Sequence, residues 1–546
     1  MSSPAAELAL RNGALYLPGT GKTRAGSVAV QNGKIAYCGP DDGITAFLGS
    51  ATQVLDLRGG MLLPGWHDSH IHSVFGGLFV PGCELAGLAS RADYLSALSG
   101  YARQHPEKSC LRGQGWIESV FCSLRPHKAQ LDAVIPERPV LVSSADGHAA
   151  WVNSKALALA GIDRDTPDPP GGIIERDQVS GEPIGLLREL AAIDLVTDRL
   201  PRPDQDECAA QGEDFIGRML GYGITAIHDA SAFPDSLEAC RRLDLEGKLR
   251  LRVDASLQSD PSQNIEQLEE FVDLRRRYSG KNLKAGSVKI FLDGTVEGHT
   301  AFLLDPYSDR SGQRGEPLWP RDTFFQTVVG LDAHGFRVHV HAMGDGAVRM
   351  ALDGFQEARR KNGVRDSRHM ISHIELVALE DVPRFLELGV IANFQPSWFY
   401  QDDLSDAPLE AFLGPSRLGR RFCMRTLWLS GAMVTSGSDW PVGGDYITCD
   451  PLEILQTGVT RQGLSGAGRP YMPQERMALG DMLDSMTVRG AFSAFREDQT
   501  GSLRTGSRAD LAVLDRDLFA IAPQDIHTAR VALTVFDGQV AYRHGI

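Results

Sequence analysis

Residues 61–72 read MLLPGWHDSHIH, an apolar run that ends in two histidines, His70 and His72. The run predicts a buried β-strand over residues 61–70. Side chains alternate between the two faces of a strand, so the imidazoles at i and i+2 point the same way. One metal ion can therefore bind both. Taken alone, the motif fits a pair of structural histidines equally well.

Seven further apolar segments have the length of buried strands, and amphipathic helical segments lie between several of them. These segments are residues 224–230, 249–257, 287–294, 337–344, 369–376, 390–397 and 433–440. Strands that alternate with helices indicate an α/β fold with a parallel sheet. Eight such strands predict a (β/α)8 TIM barrel.

The interval between the first two strands is about 150 residues long, far more than one crossover helix needs. It contains a predicted strand, PVLVSSADGH, and helical segments around 92–104 and 204–220. We therefore expect a large insertion after strand 1, at approximately 80–215. We expect it to cover the mouth of the barrel.

Both chain ends have short alternating runs separated by tight-turn signals, Asn32-Gly33 near the start and Asp537-Gly538 near the end. Ends of matching β character predict one small β-sandwich built from residues 1–60 and 496–546. The metal-dependent barrel then spans 61–495.

The net charge of the 546-residue chain is −15, which argues against nucleic acid or an anionic membrane surface as a partner. Its beginning resembles no signal peptide, and no segment approaches the ~18 apolar residues of a membrane span. The eight cysteines contain no CxxC pair, so we expect free thiols in a cytoplasmic enzyme. The oligomeric state is open; a homodimer is the commonest choice.

Other predicted strands end in residues that suit a metal site, and barrel enzymes draw catalytic groups from several strand ends. With the two histidines of the first strand, the predicted ligands are His70, His72, Lys289, His341, His373 and Asp439. Imidazole and carboxylate donors without thiolates fit zinc or a similar divalent ion.

Two of these residues need special chemistry. An ammonium on Lys289 would repel cations, but a buried lysine loses its proton readily and could form a carbamate that bridges two ions. The alternative is an ion pair of Lys289 with Asp293 or Glu297. Asp439 would bind one ion, take a proton from the metal-bound water that attacks the substrate as hydroxide, and pass that proton to a leaving amine.

Several motifs identify a family. PGWHDSHIH resembles the PGFxDxHxH signature of the amidohydrolase superfamily, and GSLRTGSRADLAVLD resembles the segment that closes these chains. GHAAWVNSKAL, VHVHAMGDGAV and SGSDWPV resemble the YtcJ-like branch of amidohydrolase family 3, which includes N-substituted formamide deformylases. This resemblance implies a TIM barrel with a β-sandwich, two divalent ions, and hydrolysis of non-peptide carbon–nitrogen bonds. It implies the same six ligand positions, with Asp439 as the acid and base.

Five further residues have expected roles outside the ligand set. His148 either polarises a substrate carbonyl or caps the helix that follows it. His67 replaces an apolar residue of the family signature and is expected to face the helices. His299 stands where relatives carry arginine, which favours a less anionic ligand. Trp116 is expected in the core, and Asp68 is expected to hydrogen-bond a ligand histidine.

The main functional hypothesis is hydrolysis of a small-molecule amide or N-formyl amine. A heterocycle deaminase of the same superfamily is one alternative, and such enzymes generally lack the strand-four lysine, so Lys289 discriminates between the two. A catalytically inert scaffold is another alternative, although such a loss usually deletes metal ligands.

Overall fold

The computed structural model describes residues 5–73, 82–121, 124–201, 205–401, 409–443 and 447–546. The strands of these residues are β1 (Leu8–Leu17), β2 (Lys22–Gln31), β3 (Lys34–Gly39), β4 (Gln53–Asp56), β5 (Met61–Pro64), β6 (Trp66–Ile71), β7 (Cys83–Glu84), β8 (Leu111–Trp116), β9 (Val140–Ser144), β10 (Ala149–Val152), β11 (Ile173–Arg176), β12 (Pro183–Arg188), β13 (Ile224–Ala232), β14 (Arg252–Gln258), β15 (Leu283–Phe291), β16 (Arg337–Ala342), β17 (Met370–His373), β18 (Ile391–Phe394), β19 (Met433–Ser436), β20 (Leu511–Leu514), β21 (Val531–Phe536) and β22 (Gln539–Arg543).

The helices of the same residues are α1 (Arg91–Gln104), α2 (Lys128–Asp132), α3 (Ser154–Ala160), α4 (Glu189–Thr197), α5 (Gln205–Gly221), α6 (Pro234–Leu245), α7 (Leu268–Arg277), α8 (Arg321–Ala333), α9 (Asp345–Asn362), α10 (Val382–Leu388), α11 (Leu409–Leu418), α12 (Met424–Leu429), α13 (Pro451–Thr460), α14 (Leu479–Ser485) and α15 (Val488–Ser493). α11 is interrupted at Gly414, whose φ is 68°.

The eight predicted barrel strands form one parallel sheet in the order β6, β13, β14, β15, β16, β17, β18, β19. This sheet is a nearly closed barrel. Its two edge strands meet through the segment after β19, where the backbone N–H of Asp439 donates to the carbonyl of His70 at 2.7 Å. The N–H of His72 donates to the carbonyl of Trp440 at 2.8 Å. This contact between the ends of β6 and β19, here called the seam, therefore brings the ends of the first and last barrel strands together.

The single strand predicted over 61–70 is divided in the structure. Met61–Pro64 pairs with β1 and β20, whereas Trp66–Ile71 pairs with β13. The break falls at Gly65, where a Cβ atom would lie 2.3 Å from the hydroxyl of Thr225. A continuous apolar run cannot reveal this division, because both halves are buried.

The chain between β6 and β13 carries a separate mixed sheet, ordered β11, β12, β10, β9, β8, β7. The predicted strand of this region appears as β9, and the predicted helical segments appear as α1 and α5. Parts of the expected insertion, residues 80–81, 122–123 and 202–204, lie outside the described residues, as does Cys122. The bounds predicted for the insertion stay a prediction.

The chain ends share one mixed sheet, ordered β22, β21, β20, β5, β1, β2, β3, with β4 beside β1. The expected turns are present, with positive φ at Asn32 and Gly33 and again at Asp537 and Gly538. The pairing of both ends is as the sequence predicts. Its division into a two-layer sandwich, and the domain boundaries at 60/61 and 495/496, stay predictions.

The described part of the chain has no helix with the length and apolarity needed to cross a bilayer. The seven cysteines within it are all free thiols.

Candidate metal centre

The seam of the barrel brings a carboxylate against two imidazoles. Oδ1 of Asp439 lies 3.0 Å from Nε2 of His72 and 3.2 Å from Nε2 of His70. The aspartate is 3% exposed, and its Oδ1 accepts no well-formed hydrogen bond from the described residues. Buried carboxylates are normally hydrogen-bonded or coordinate metals. Two nitrogen donors and one oxygen that converge in this way fit a divalent cation.

The other three predicted ligands lie in the same cluster. Nζ of Lys289 is 3.4 Å from Nε2 of His70, and Nδ1 of His373 is 3.7 Å from Oδ2 of Asp439. The rings of His341 and His373 have centroids 4.5 Å apart. The structure thus brings all six side chains together. Their roles as ligands stay predictions.

The cluster is electrostatically unusual because it is buried. Burial lowers the pKa of Lys289 to about 7, against the opposing charge of Asp439. Burial and then Lys289 lower the pKa of His70 to about 3. The amine and the imidazole are therefore available in their neutral forms near neutral pH, which metal binding and carbamate formation both require.

The alternative partners considered for Lys289 are engaged elsewhere. Asp293 accepts hydrogen bonds from three backbone amides, those of Phe302, Met343 and Gly344. Oε1 of Glu297 lies 3.8 Å from Nη2 of Arg421. The structure therefore does not support the ion pair of Lys289 with either carboxylate.

Side chains outside the six predicted ligands hold the ligand rings. Nδ1 of His70 is 2.9 Å from Oγ of Ser372 and 3.2 Å from Nε2 of His339. Nδ1 of His373 is 2.9 Å from Oε1 of Gln395. His339 stands two residues before His341 on β16, so the alternation of a strand could have placed it in the lumen.

Asp68 hydrogen-bonds a ligand histidine, as expected, but it does so through the backbone amide of that residue. Its Oδ1 accepts from the backbone amides of His70 and Ser438, at 3.1 and 3.0 Å, and not from an imidazole. Asp68 therefore joins the first and last barrel strands beside the cluster. Burial raises the pKa of its carboxyl to about 7.

His148 reaches the cluster from the residues between β6 and β13. Its ring centroid lies 5.0 Å from that of His341, and its Nδ1 is 2.7 Å from Oε2 of Glu189. Burial would lower the pKa of His148, but nearby carboxylates outweigh it, Glu189 first and then Asp146 and Asp293, and the pKa is raised to about 9. The helix that follows is capped by Asn153, so the capping role considered for His148 is wrong.

The remaining candidates have different surroundings. His67 is buried with its Cβ against Gly490 of α15, so it faces a helix as expected. Trp116 is 1% exposed and donates from Nε1 to the carbonyl of Val142, as a core residue would. Nε2 of His299 is 2.9 Å from Oδ2 of Asp309.

One cavity of about 990 Å³ opens onto the cluster. It is lined by Lys289, His341 and Asp439 of the barrel, and by Trp116 and His148 of the region between β6 and β13. The cavity is large enough for a small organic molecule. Residues of the expected insertion therefore line the cavity, which is consistent with the expectation that the insertion covers the barrel mouth.

The model of a protein family described as "Amidohydrolase family" matches residues 53–542. The chain belongs to the amidohydrolase family. This amidohydrolase is 31% identical to YtcJ of Bacillus subtilis over 530 residues, which cover 95% of this chain and 96% of YtcJ. It is 28% identical to the N-substituted formamide deformylase of Arthrobacter pascens over 532 residues, 95% of each chain. The recognition of the YtcJ-like branch is thereby confirmed.

Solved structures support the fold of this amidohydrolase. An uncharacterized metal-dependent hydrolase from Pyrococcus horikoshii OT3 aligns with a TM-score of 0.75 at 23% identity, over 94% of this chain and 99% of the other. The corresponding protein from Pyrococcus furiosus gives a TM-score of 0.71 at 24% identity, over 93% and 99%. The barrel and its added sheets are therefore a recurring arrangement.

Proposed function

We propose that this amidohydrolase is a metal-dependent hydrolase of non-peptide carbon–nitrogen bonds in amides or N-formyl amines. The observation that carries the proposal is the approach of two imidazole Nε2 atoms to one oxygen of the buried Asp439, at 3.0 and 3.2 Å. The relative from Arthrobacter pascens, named as a formamide deformylase, supports this choice of bond.

We propose that the cluster holds two divalent ions, with zinc as the metal. His70, His72, His341, His373 and Asp439 would hold these ions, and Lys289 would contribute to the site as its N6-carbamate. Such ions supply Lewis acidity toward a carbonyl oxygen and make water acidic enough to attack at neutral pH. The neutral amine of Lys289 can add to carbon dioxide and lose one proton to solvent, which gives the carbamate, because burial lowers the pKa of this lysine to about 7.

The chain's own groups then have separate tasks. The carboxylate of Asp439 takes the proton of the attacking water and returns it to the leaving nitrogen, so that an amide and water become a carboxylic acid and an amine. His148 is a cation beside the cluster, because Glu189 raises its pKa to about 9. With Nδ1 bound to Glu189, its second N–H is a donor for the carbonyl oxygen as negative charge develops there.

The first test combines metal analysis with a substrate panel. The protein, purified and supplied with zinc and bicarbonate, should contain about two zinc ions per chain and should hydrolyse N-formyl or N-acetyl amines. Less than one divalent ion per chain, with no recovery on adding metal, would instead support an inert scaffold.

The second test separates the hydrolase from a heterocycle deaminase. Lys289→Ala should lower kcat/KM for amides by at least about 100-fold and reduce the zinc content, since it removes the proposed bridge. Lys284→Ala, in the same strand but half-buried and away from the cluster, is the matched control. Retention of most activity in Lys289→Ala would favour the deaminase.

A further inference from the structure

The active-site cavity contains a carboxyl group that the proposed reaction does not use. Glu297 follows β15 and lines the same cavity as the metal cluster. Its side chain is 34% exposed, and no other described side chain donates a hydrogen bond to it. Its charged neighbour is Arg421, whose Nη2 lies 3.8 Å from Oε1. Glu297 is therefore partly exposed to the cavity, with Arg421 beside it and its own backbone N–H as a hydrogen-bond donor.

The arginine beside Glu297 is already engaged. Nε of Arg421 donates to Oε1 of Glu375 at 2.5 Å, and its Nη1 donates to the hydroxyl of Tyr471 at 3.1 Å. One guanidinium thus faces two carboxylates, those of Glu297 and Glu375. Burial and the charge of Glu375 raise the pKa of Glu297 to about 8. A cation brought to the partly exposed carboxyl of Glu297 would stabilise its charged form.

The walls of the same cavity are suited to a cation on an apolar body. Phe412, Phe422, Trp398 and Tyr400 line the cavity together with Glu297. Aromatic faces attract cationic groups and also bury apolar surface. Arg188, which lines the cavity as well, is neutralised by Glu118 and Glu175, at 2.9 and 2.7 Å. The carboxyl of Glu297 therefore shares the cavity with aromatic rings and with an arginine, Arg188, that already has two acidic partners.

We propose that Glu297 is a subsite for a cationic nitrogen of the substrate, an ammonium or amidinium group on an apolar or aromatic body. The preferred substrates are then N-acyl or N-formyl derivatives of diamines and similar basic compounds. This inference rests on the proposed function, because it assigns the scissile bond to the Asp439 cluster and the cation to Glu297.

The binding arm of the test uses benzamidinium and its neutral isostere acetophenone on the zinc-loaded protein, measured by calorimetry. The wild type should bind benzamidinium about 10-fold more tightly or better, and Glu297→Gln should remove that preference. Glu297→Asp keeps the charge with a shorter reach and should retain part of it. Glu380→Gln removes a charge from the outer surface and is the control for long-range effects, since that side chain is 70% exposed.

The turnover arm compares N-formyl-4-(aminomethyl)benzylamine with the uncharged N-formyl-4-methylbenzylamine. The wild type should favour the cationic substrate by about 10-fold in kcat/KM, and the ratio should approach unity in Glu297→Gln. Charge preferences that are equal in the wild type and Glu297→Gln, in both arms, overturn the subsite. Hydrolysis without a charge preference keeps the proposed function and overturns the subsite. Glu297-dependent binding of benzamidinium without hydrolysis of any amide keeps the subsite and overturns the proposed function.

Discussion

The pair formed by His148 and Glu189 shows how one contact sets the chemistry of a residue. A buried imidazole alone is held neutral, because burial penalises its charged form. The carboxylate of Glu189 at 2.7 Å reverses this, and the pKa of His148 rises to about 9 from an ordinary 6.5. The charge of His148 at neutral pH therefore depends on a residue 41 positions away.

This pairing gives a prediction for Glu189→Gln. The variant should lower the pKa of His148 to 6.5 or below, because the burial effect is then no longer outweighed. A ¹³C NMR titration of labelled histidine, with His148→Asn used to assign the signal, measures it. Glu118→Gln, which alters a cavity carboxylate paired with Arg188 instead, should leave the value near 9. A pKa that stays near 9 in Glu189→Gln would show that Glu189 is not the cause.

The same pair makes a pH-dependent contribution to stability. The folded-state pKa of His148 is above its unfolded value, so the ion pair stabilises the fold fully below pH 6.5, and this contribution is lost as pH rises through about 9. Between those limits, wild type and Glu189→Gln should converge in thermal midpoint as the pH increases. A difference that stays constant from pH 6 to pH 10 would contradict this account.

At the scale of elements, the metal cluster depends on the seam where β19 meets β6. Gly437 lies directly after β19, and a Cβ atom there would be 2.4 Å from the backbone nitrogen of His70 and 2.6 Å from its Cβ. These are backbone and near-backbone contacts that cannot yield by a rotamer change. The absence of a side chain at Gly437 is therefore what allows Asp439 to approach His70.

Gly437→Ala should accordingly displace the seam and weaken zinc binding by at least about 10-fold, since the ligand geometry is disturbed. A competition titration with a chromogenic chelator gives the affinity. Gly286→Ala is the matched control, because Gly286 lies in barrel strand β15 with no atom within 4 Å of the added Cβ. Equal zinc affinity in the two variants would rule out a role for the close approach.

At the scale of the whole molecule, a buried ion pair links the barrel to the sheet of the chain ends. Arg252 at the start of β14 donates to Asp510 from Nε at 2.6 Å and from Nη2 at 3.0 Å. Both side chains are almost fully buried. Replacing Asp510 would leave the buried guanidinium with the longer contact to Oδ1 of Asp537, at 3.4 Å. Losing one partner of a buried pair costs more than the pair itself contributes.

Asp510→Asn should therefore lower the free energy of unfolding by about 3 kcal/mol. Asp515→Asn, which removes a more exposed partner of Arg516, should cost less than about 1 kcal/mol. Urea titration followed by fluorescence compares the two variants. Similar midpoints for both would mean that the connection between barrel and terminal sheet does not depend on this pair.

Metal removal tests the cluster in the intact protein. A bound ion stabilises the folded state by mass action. Its loss leaves the Asp439 carboxylate buried without a bound cation. Dialysis against a chelator should lower the thermal midpoint and abolish amide hydrolysis, and zinc should restore both. A midpoint that does not respond to chelator or zinc would contradict metal binding at this site.

Local sequence patterns were enough to predict the eight barrel strands, the pairing of the chain ends and the six residues of the cluster. These features are readable because strand length, alternation and turn residues are local properties of the chain. His70 and His72 could be assigned to one face from two positions in a single strand, and Asp439 could be assigned to the same edge because parallel strands end together.

Four features emerge only in the folded chain: the division of 61–70 at Gly65, the approach of Asp439 to two imidazoles, the charge on His148, and the arginine that Glu297 shares with Glu375. Each depends on a partner from a distant element: Thr225 beside Gly65, Glu189 beside His148, and Arg421 with Glu375 beside Glu297. Burial and long-range contacts set these properties, and neither is encoded in the local pattern of residues around the group.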